Sequence, residues 1–295
     1  PLTLRGWMVL ITTLCAGWFL LLQRLGGPSL WIDEMLSYSR ASLSDCDAFY
    51  AALSGANHAP LYERFFLHPW LMLGDGEFWA RFPGIILAML TVSLTYRFGK
   101  QAVGAYVGIG GMIFLLFSPL FIQHVREVRP YSLLVLTTTL SIYFWWNAVY
   151  SARYKYWALF ALFGAAAIYT HYYSGFVLVG IAATTLALKI LKIVSWHQLY
   201  RAIIAYIGIG VLFLPWLPTF FMQLQSWAVS WIPPLSLRGF FELPTFFFAH
   251  TLFSAPVWNG IIVITWVLFL IAIVLLWQLG QRGKPLFVFL AVFFF

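Results

Sequence analysis

The sequence predicts an all-α, polytopic transmembrane helix bundle, and three observations predict it. Of the 295 residues, 62% are hydrophobic and only 9% are charged, whereas an ordinary soluble domain carries about 25% charged residues. The mean hydropathy is +0.88, more apolar surface than a soluble fold can hide. The apolar residues are also segregated into runs, many close to the roughly 20 residues that cross a hydrocarbon core.

Those runs fall at residues 7–22, 78–98, 103–122, 131–150, 157–170, 174–188, 202–222, 258–279 and from 285 onward, about nine spans in all. Leu4–Leu22 lacks a small-residue cleavage site close behind it and reads as a first span rather than a signal peptide. Segment 60–73 is apolar but holds Glu63, Arg64, His68 and Pro69, so it reads as an interfacial or re-entrant helix. Gly108–Gly111 and Gly208–Gly210 lie within spans, where close helix packing explains them better than phosphate binding. Pro1 at the start and the apolar Leu290–Phe295 at the end predict a fragment, truncated at the C-terminus. Residues 1–295 thus form a single transmembrane module.

Alternating spans sort the loops onto two sides. Ten of the 17 basic residues fall on one side: Arg5, Arg97, Lys100, Arg153, Lys155, Lys189, Lys192, Arg201, Arg282 and Lys284. The positive-inside rule makes that side cytoplasmic. All nine acidic residues fall on the other side, so carboxylate chemistry belongs outside. Two outer loops are long, 24–77 and 223–256. The inner loops are short and carry no Gly-rich phosphate loop. The net charge of +8 is scattered between apolar stretches, which excludes a nucleic-acid tract. Cys15 and Cys46 offer neither a disulfide framework nor a metal spacing.

Four polar clusters converge on the outer side. Trp31-Ile32-Asp33-Glu34 places two carboxylates beside aromatic residues near the bilayer, where ionised groups are costly unless they are used. In Asn57-His58-Ala59-Pro60-Leu61-Tyr62, Pro60 favours extended backbone before it and a helix after it. His58 there could bond a substrate, relay a proton or bind a metal. Gln123-His124-Val125-Arg126-Glu127-Val128-Arg129-Pro130-Tyr131 sets two arginines at headgroup level. A guanidinium fork suits a lipid phosphate, and snorkelling anchors are the alternative. In Tyr169-Thr170-His171-Tyr172-Tyr173, an aromatic belt accounts for the tyrosines but not for His171.

This inventory fits sugar transfer from a lipid phosphate. The leaving phosphate is already an anion and needs positive charge more than a proton. The acceptor hydroxyl needs a base, which one carboxylate supplies. The paired acid and base of a glycoside hydrolase are not required, and direct displacement inverts the anomeric centre.

The chain resembles the GT-C superfamily of polyprenyl-phosphate-sugar-dependent glycosyltransferases. It is most similar to the bacterial branch akin to protein O-mannosyltransferases and the lipid A aminoarabinose transferase. The residues that carry the resemblance are Trp31-Ile32-Asp33-Glu34, His58-Ala59-Pro60-Leu61-Tyr62, Phe78-Trp79-Ala80-Arg81-Phe82-Pro83-Gly84, Arg126-Glu127-Val128-Arg129-Pro130-Tyr131 and Thr170-His171-Tyr172-Tyr173. They span roughly residues 25–180, in the family's order.

The resemblance implies Asp33 as catalytic base, with Glu34 supporting it or a metal. It implies Arg126, Arg129 and Tyr131 at the donor phosphate, and His58, Tyr62, Arg81, Glu127, His171 and Tyr172 as binding or supporting residues. A divalent cation, Mg or Mn, on Asp33 and Glu34 stays open. The implied partners are a polyprenyl-phosphate sugar, membrane lipids, and a lipid, glycan or protein acceptor, with no nucleic acid. The transferred sugar would be a hexose or pentose. The implied location is a bacterial inner membrane, with the site facing outside. A transporter or flippase of lipid-linked substrates is the competing reading, but it needs ionisable residues at mid-span, and the spans hold almost none.

Overall fold

The computed structural model describes residues 3–54, 58–151, 153–226, 236–246, 255–278, 284–285 and 288–290, and among them every regular element is helical. Helix α1 is Leu4–Leu22, opened by Thr3, whose hydroxyl accepts the Gly6 N–H. Short helices α2 (Ile32–Ser42) and α3 (Cys46–Ser54) follow. A π-helical turn, Leu61–Leu67, then runs into α4 (His68–Leu71). The segment expected to be helical over 60–73 is helical over residues 61–71, wound first in the wider π form.

The bundle continues with α5 (Gly76–Ala102), α6 (Ala105–Leu116), α7 (Pro119–Val125), α8 (Tyr131–Ser151), α9 (Tyr154–Thr170) and α10 (Ser174–Ile190). Helix α11 (Trp196–Phe213) passes through a 3-10 turn, Leu214–Trp216, into α12 (Leu217–Ser226). Helices α13 (Leu237–Phe246) and α14 (Ala255–Gln278) complete it. About half of the second long outer loop, 223–256, and most of the run from 285 onward lie outside the described residues.

Among the described residues, four helices are long and apolar enough to cross a membrane, fewer than the nine spans expected: Leu4–Leu22, Gly76–Ala102, Tyr131–Ser151 and Trp196–Gln225. A fifth crossing results if α6 and α7, bent by 64° to each other, form one broken span. The bend has a local cause. Pro119 has no N–H to continue the helical ladder, and the Ser118 hydroxyl accepts the Phe121 N–H to restart it. Large side chains such as Ile11, Phe19, Ile207, Val211, Val267 and Ile271 are exposed on the helix flanks, as lipid-facing surfaces require.

The largest core packs Trp145, Phe160, Ile181, Leu188 and Ile209 from α8 to α11. A second joins α1, α5 and α6 through Leu21, Ile85, Met89, Met112 and Leu116. Gly108 lets α5 and α6 touch, since a Cβ there would lie 2.4 Å from the Tyr96 carbonyl oxygen; Gly210 faces open space. At one end of the bundle, hydrogen bonds tie α5 to α8 (Arg97 to Tyr143, Gln101 to Asn147) and α11 to α8 (Gln198 to the Val149 carbonyl). The opposite end gathers α2, the π-helical turn, the α7–α8 turn and the start of the α9–α10 connection. A third core, including Ala41, Tyr62, Leu67, Ala80 and Val128, holds α2 and the π-helical turn onto α5 and the α7–α8 turn.

Candidate active site

Asp33 and Glu34 are neighbours in sequence, but a helix turns successive side chains about 100° apart. On α2 they enter different networks. Glu34 points inward and is 1% exposed. The Arg81 guanidinium grips it as a fork, Nε to Oε1 at 2.8 Å and a terminal nitrogen to Oε2 at 2.7 Å. The Val128 N–H donates to Oε1 (2.8 Å), and the Trp31 N–H to Oε2 (3.2 Å), capping the start of α2. Arg81 spends its remaining donors on the Leu25, Pro28 and Ser29 carbonyls. Burial would raise the Glu34 pKa, but Arg81 and the two backbone N–H groups outweigh it and hold it below the usual carboxylate range. Four segments meet at this pair: the linker after α1, α2, α5 and the α7–α8 turn. Gly84 makes the last approach possible, since a Cβ there would sit 2.6 Å from the Val125 carbonyl oxygen.

Asp33 lies on the other face of α2 and its side chain is 39% exposed. The Arg129 guanidinium stands 3.8 Å from Asp33 Oδ2 and donates to the Asp33 carbonyl at 3.3 Å. Arg129 also donates to Ser37 Oγ (3.4 Å) and lies 5.6 Å over the Tyr131 ring, while its Nε is buried without a hydrogen bond. Ser37 and Arg40 follow Asp33 on the same helix face at i+4 and i+7. Arg40 is within electrostatic range of Glu63, Arg129 and Asp33.

Glu63, on the π-helical turn, is fully buried. Its Oε1 accepts from Ser37 Oγ (3.2 Å), and its Oε2 has no hydrogen bond and lies 3.4 Å from His58 Nδ1. Burial pushes its carboxyl up to about 7, against the pull of Arg40, Arg129 and Ser37. The His58 ring is 6.4 Å from that of His171, which is 6.4 Å from that of Tyr131. Burial, with Arg40 and Arg129 nearby, lowers His58 to about 3; burial, with His58 and Arg129, lowers His171 to about 4. Both rings are neutral at physiological pH. His171 Nδ1 accepts the Tyr173 N–H (3.3 Å), so its proton sits on Nε2.

A chain of contacts therefore unites five of the sequence candidates: Asp33, Arg129, Tyr131, His171 and His58. The other six make contacts of their own around it. Glu34 and Arg81 form the inner strut. Arg126 donates to the Gln23 carbonyl, tying the α7–α8 turn to the end of α1. Glu127 faces His124, with Oε2 3.2 Å from Nδ1. Tyr62 is buried against Phe66. The Tyr172 hydroxyl meets Gln223 and the Trp216 indole N–H, and Gln223 donates on to the Leu53 carbonyl, so Tyr172 braces α12 against α3.

Arg40, Ser37 and Glu63 are the residues that sequence reasoning missed. The first two were detectable as the helical repeat of Asp33; only the fold aims Glu63 inward. A divalent cation does not fit Asp33 and Glu34 as a pair. Both Glu34 oxygens are taken, the two side chains diverge, and no group of three His, Cys, Asp or Glu among the described residues could hold a metal.

Carboxylate, guanidinium and imidazole groups gathered at one end of an apolar helical bundle suit a membrane-embedded protein with a charged lipid substrate. The sequence signature of one such family, dolichyl-phosphate-mannose-protein mannosyltransferase, matches residues 57–222, more than half of the chain. The chain belongs to that family, and so is an integral membrane glycosyltransferase that uses a polyprenyl-phosphate sugar donor. No curated protein sequence matches it. The matched segment holds His58, Glu63, Arg129 and His171; Asp33 and Arg40 precede it, and the fold carries them in on α2.

Proposed function

We propose that the pocket beside Asp33 transfers a sugar, with inversion, from a polyprenyl-phosphate donor to a lipid, glycan or protein acceptor on the extracytoplasmic face of a bacterial inner membrane. Asp33 is the base. Its partly exposed carboxylate accepts the acceptor hydroxyl's proton as the new bond forms at the anomeric carbon. Arg129, with Arg40 behind it, holds the departing phosphate, whose charge grows as the old bond breaks. Tyr131 supports Arg129 through its ring. His58 and His171, neutral and facing the same space, are suited to bond the sugar hydroxyls.

The approach of Arg129 to Asp33 supports this reading most: a base and a phosphate-binding cation stand 3.8 Å apart, the carboxylate partly exposed and the guanidinium largely buried. Glu34 acts at one remove, fixing α2 and so the direction of Asp33. The apolar helices from α1 to α14 are read as spans, with residues 24–77 forming the outer loop that bears the base. The larger share of the basic residues, ten of 17, on the opposite predicted side supports the orientation.

The test is transfer by the purified full-length protein in lipid nanodiscs, offered polyprenyl-phosphate hexoses and pentoses and a panel of acceptors. Wild type is expected to release free polyprenyl phosphate, and Asp33→Asn to release none while keeping the wild-type melting profile. Full activity in Asp33→Asn removes the assigned base.

A further inference from the structure

The reaction just described uses Asp33, Arg129 and the two histidines but gives Glu63 no task, although Glu63 is the most deeply buried acid of the pocket. The chain winds residues 61–67 as a π-helix, a rare form that concentrates at functional sites. The side chains that interact with Glu63 come from three elements: Ser37 and Arg40 from α2, His58 and Tyr62 from its own segment, and Arg129 from the α7–α8 turn. A single hydroxyl links Glu63 to the phosphate-binding arginine. Ser37 Oγ donates to Glu63 Oε1 at 3.2 Å and accepts from Arg129 at 3.4 Å. The second oxygen, Oε2, is buried without a hydrogen bond, an arrangement that disfavours the ionised form.

We propose that Glu63 is a positioning residue that takes up a proton when the lipid-phosphate product occupies the place beside Arg129. The inference rests on the reading that Arg129 holds the donor phosphate. The donor is a phosphodiester with one negative charge. Transfer breaks the bond from the anomeric carbon to the phosphate oxygen and forms one to the acceptor oxygen. The acceptor's proton leaves through Asp33. The product is a phosphate monoester, which carries a second negative charge at neutral pH. The same guanidiniums must hold that extra charge with Glu63 one hydroxyl away. An ionised Glu63 would repel it; a protonated Glu63 does not. The proton comes from bulk water as the product forms and returns when the lipid phosphate leaves. A carboxyl held near 7 by its surroundings can make this exchange at physiological pH.

The experiment measures the dissociation constant of farnesyl phosphate for the full-length protein in nanodiscs between pH 6 and pH 8. Wild type, Glu63→Gln and Arg129→Gln are compared with the same ligand, so the ligand's own titration cancels. Glu63→Gln is expected to bind about tenfold tighter than wild type at pH 8, with the ratio falling towards one at pH 6. A ratio that does not change with pH overturns the role of Glu63 and leaves the phosphate site standing. Unchanged affinity in Arg129→Gln overturns the phosphate site and this inference with it. If Glu63→Gln melts early, calorimetry of wild type in buffers of different ionisation enthalpy decides the matter. Net proton uptake on binding at pH 7.5 is expected, and none overturns the proposal.

Discussion

Two ion pairs begin one residue apart on α2 and end in opposite conditions. Glu34 and Arg81 are closed. Each oxygen of the carboxylate accepts two donors, the guanidinium spends its other N–H groups on carbonyls, and both side chains are buried. Asp33 and Arg129 are open. Their charged atoms are 3.8 Å apart, the carboxylate is partly exposed, and Arg129 Nε has no hydrogen bond. A saturated pair has no bonding capacity left for a ligand, so it can only hold the fold. An unsaturated pair costs stability and keeps donors free for substrate.

The comparison is best broken by removing one partner of the closed pair. Glu34→Ala leaves the Arg81 charge buried without an anion, and a loss of about 3–5 kcal/mol is expected. It should appear as a much lower melting temperature or as failure to accumulate in the membrane. A wild-type melting curve for Glu34→Ala would deny the pair its structural role.

The open pair should behave in the opposite way. Asp33→Asn is expected to shift stability by no more than about 0.5 kcal/mol while lowering the turnover rate by about 10²–10⁴-fold. Arg129→Lys keeps the charge and loses the fork, so the donor KM is expected to rise about tenfold with a smaller change in kcat. Equal loss of kcat and kcat/KM in that variant would place Arg129 at the transition state only.

Acid sensitivity separates the pocket from the strut. His58 and His171 have folded pKa values near 3 and 4, below the ordinary 6.5, so the stability they contribute is complete above pH 6.5 and is lost as pH falls. Glu63, raised from 4.5 to about 7, acts in the other direction: its contribution is complete below pH 4.5 and is lost as pH rises through 7. Between pH 6.5 and 4.5, two histidines oppose one carboxyl, and net destabilisation on acidification is expected. Replacing both histidines by glutamine should reverse that limb in a pH series of melting temperatures, because the Glu63 contribution is then unopposed. The smallest effect expected is that of Ser37→Ala, about 1 kcal/mol for the hydrogen bonds it removes, read as a slight lowering of the melting temperature.

Asp33, His58, Arg129, Tyr131 and His171 were legible one by one, because a polar residue flanked by apolar runs stands out. Glu34 and Arg81 were equally legible as residues and were assigned beside the site. That they bond each other depends on which way α2 faces, and no dipeptide records that. Arg40 was hidden by its ordinary setting in Tyr38-Ser39-Arg40, and Glu63 by the apolar segment around it.

What the sequence determined alone was the helical, membrane-embedded class and the clustering of its polar groups between apolar runs. Both follow from transfer free energy along the chain, which is a local property. Which carboxylate is sealed and which is left open was decided only in three dimensions. That choice depends on how many donors four distant segments bring to each oxygen, and on how much water the packing leaves beside it.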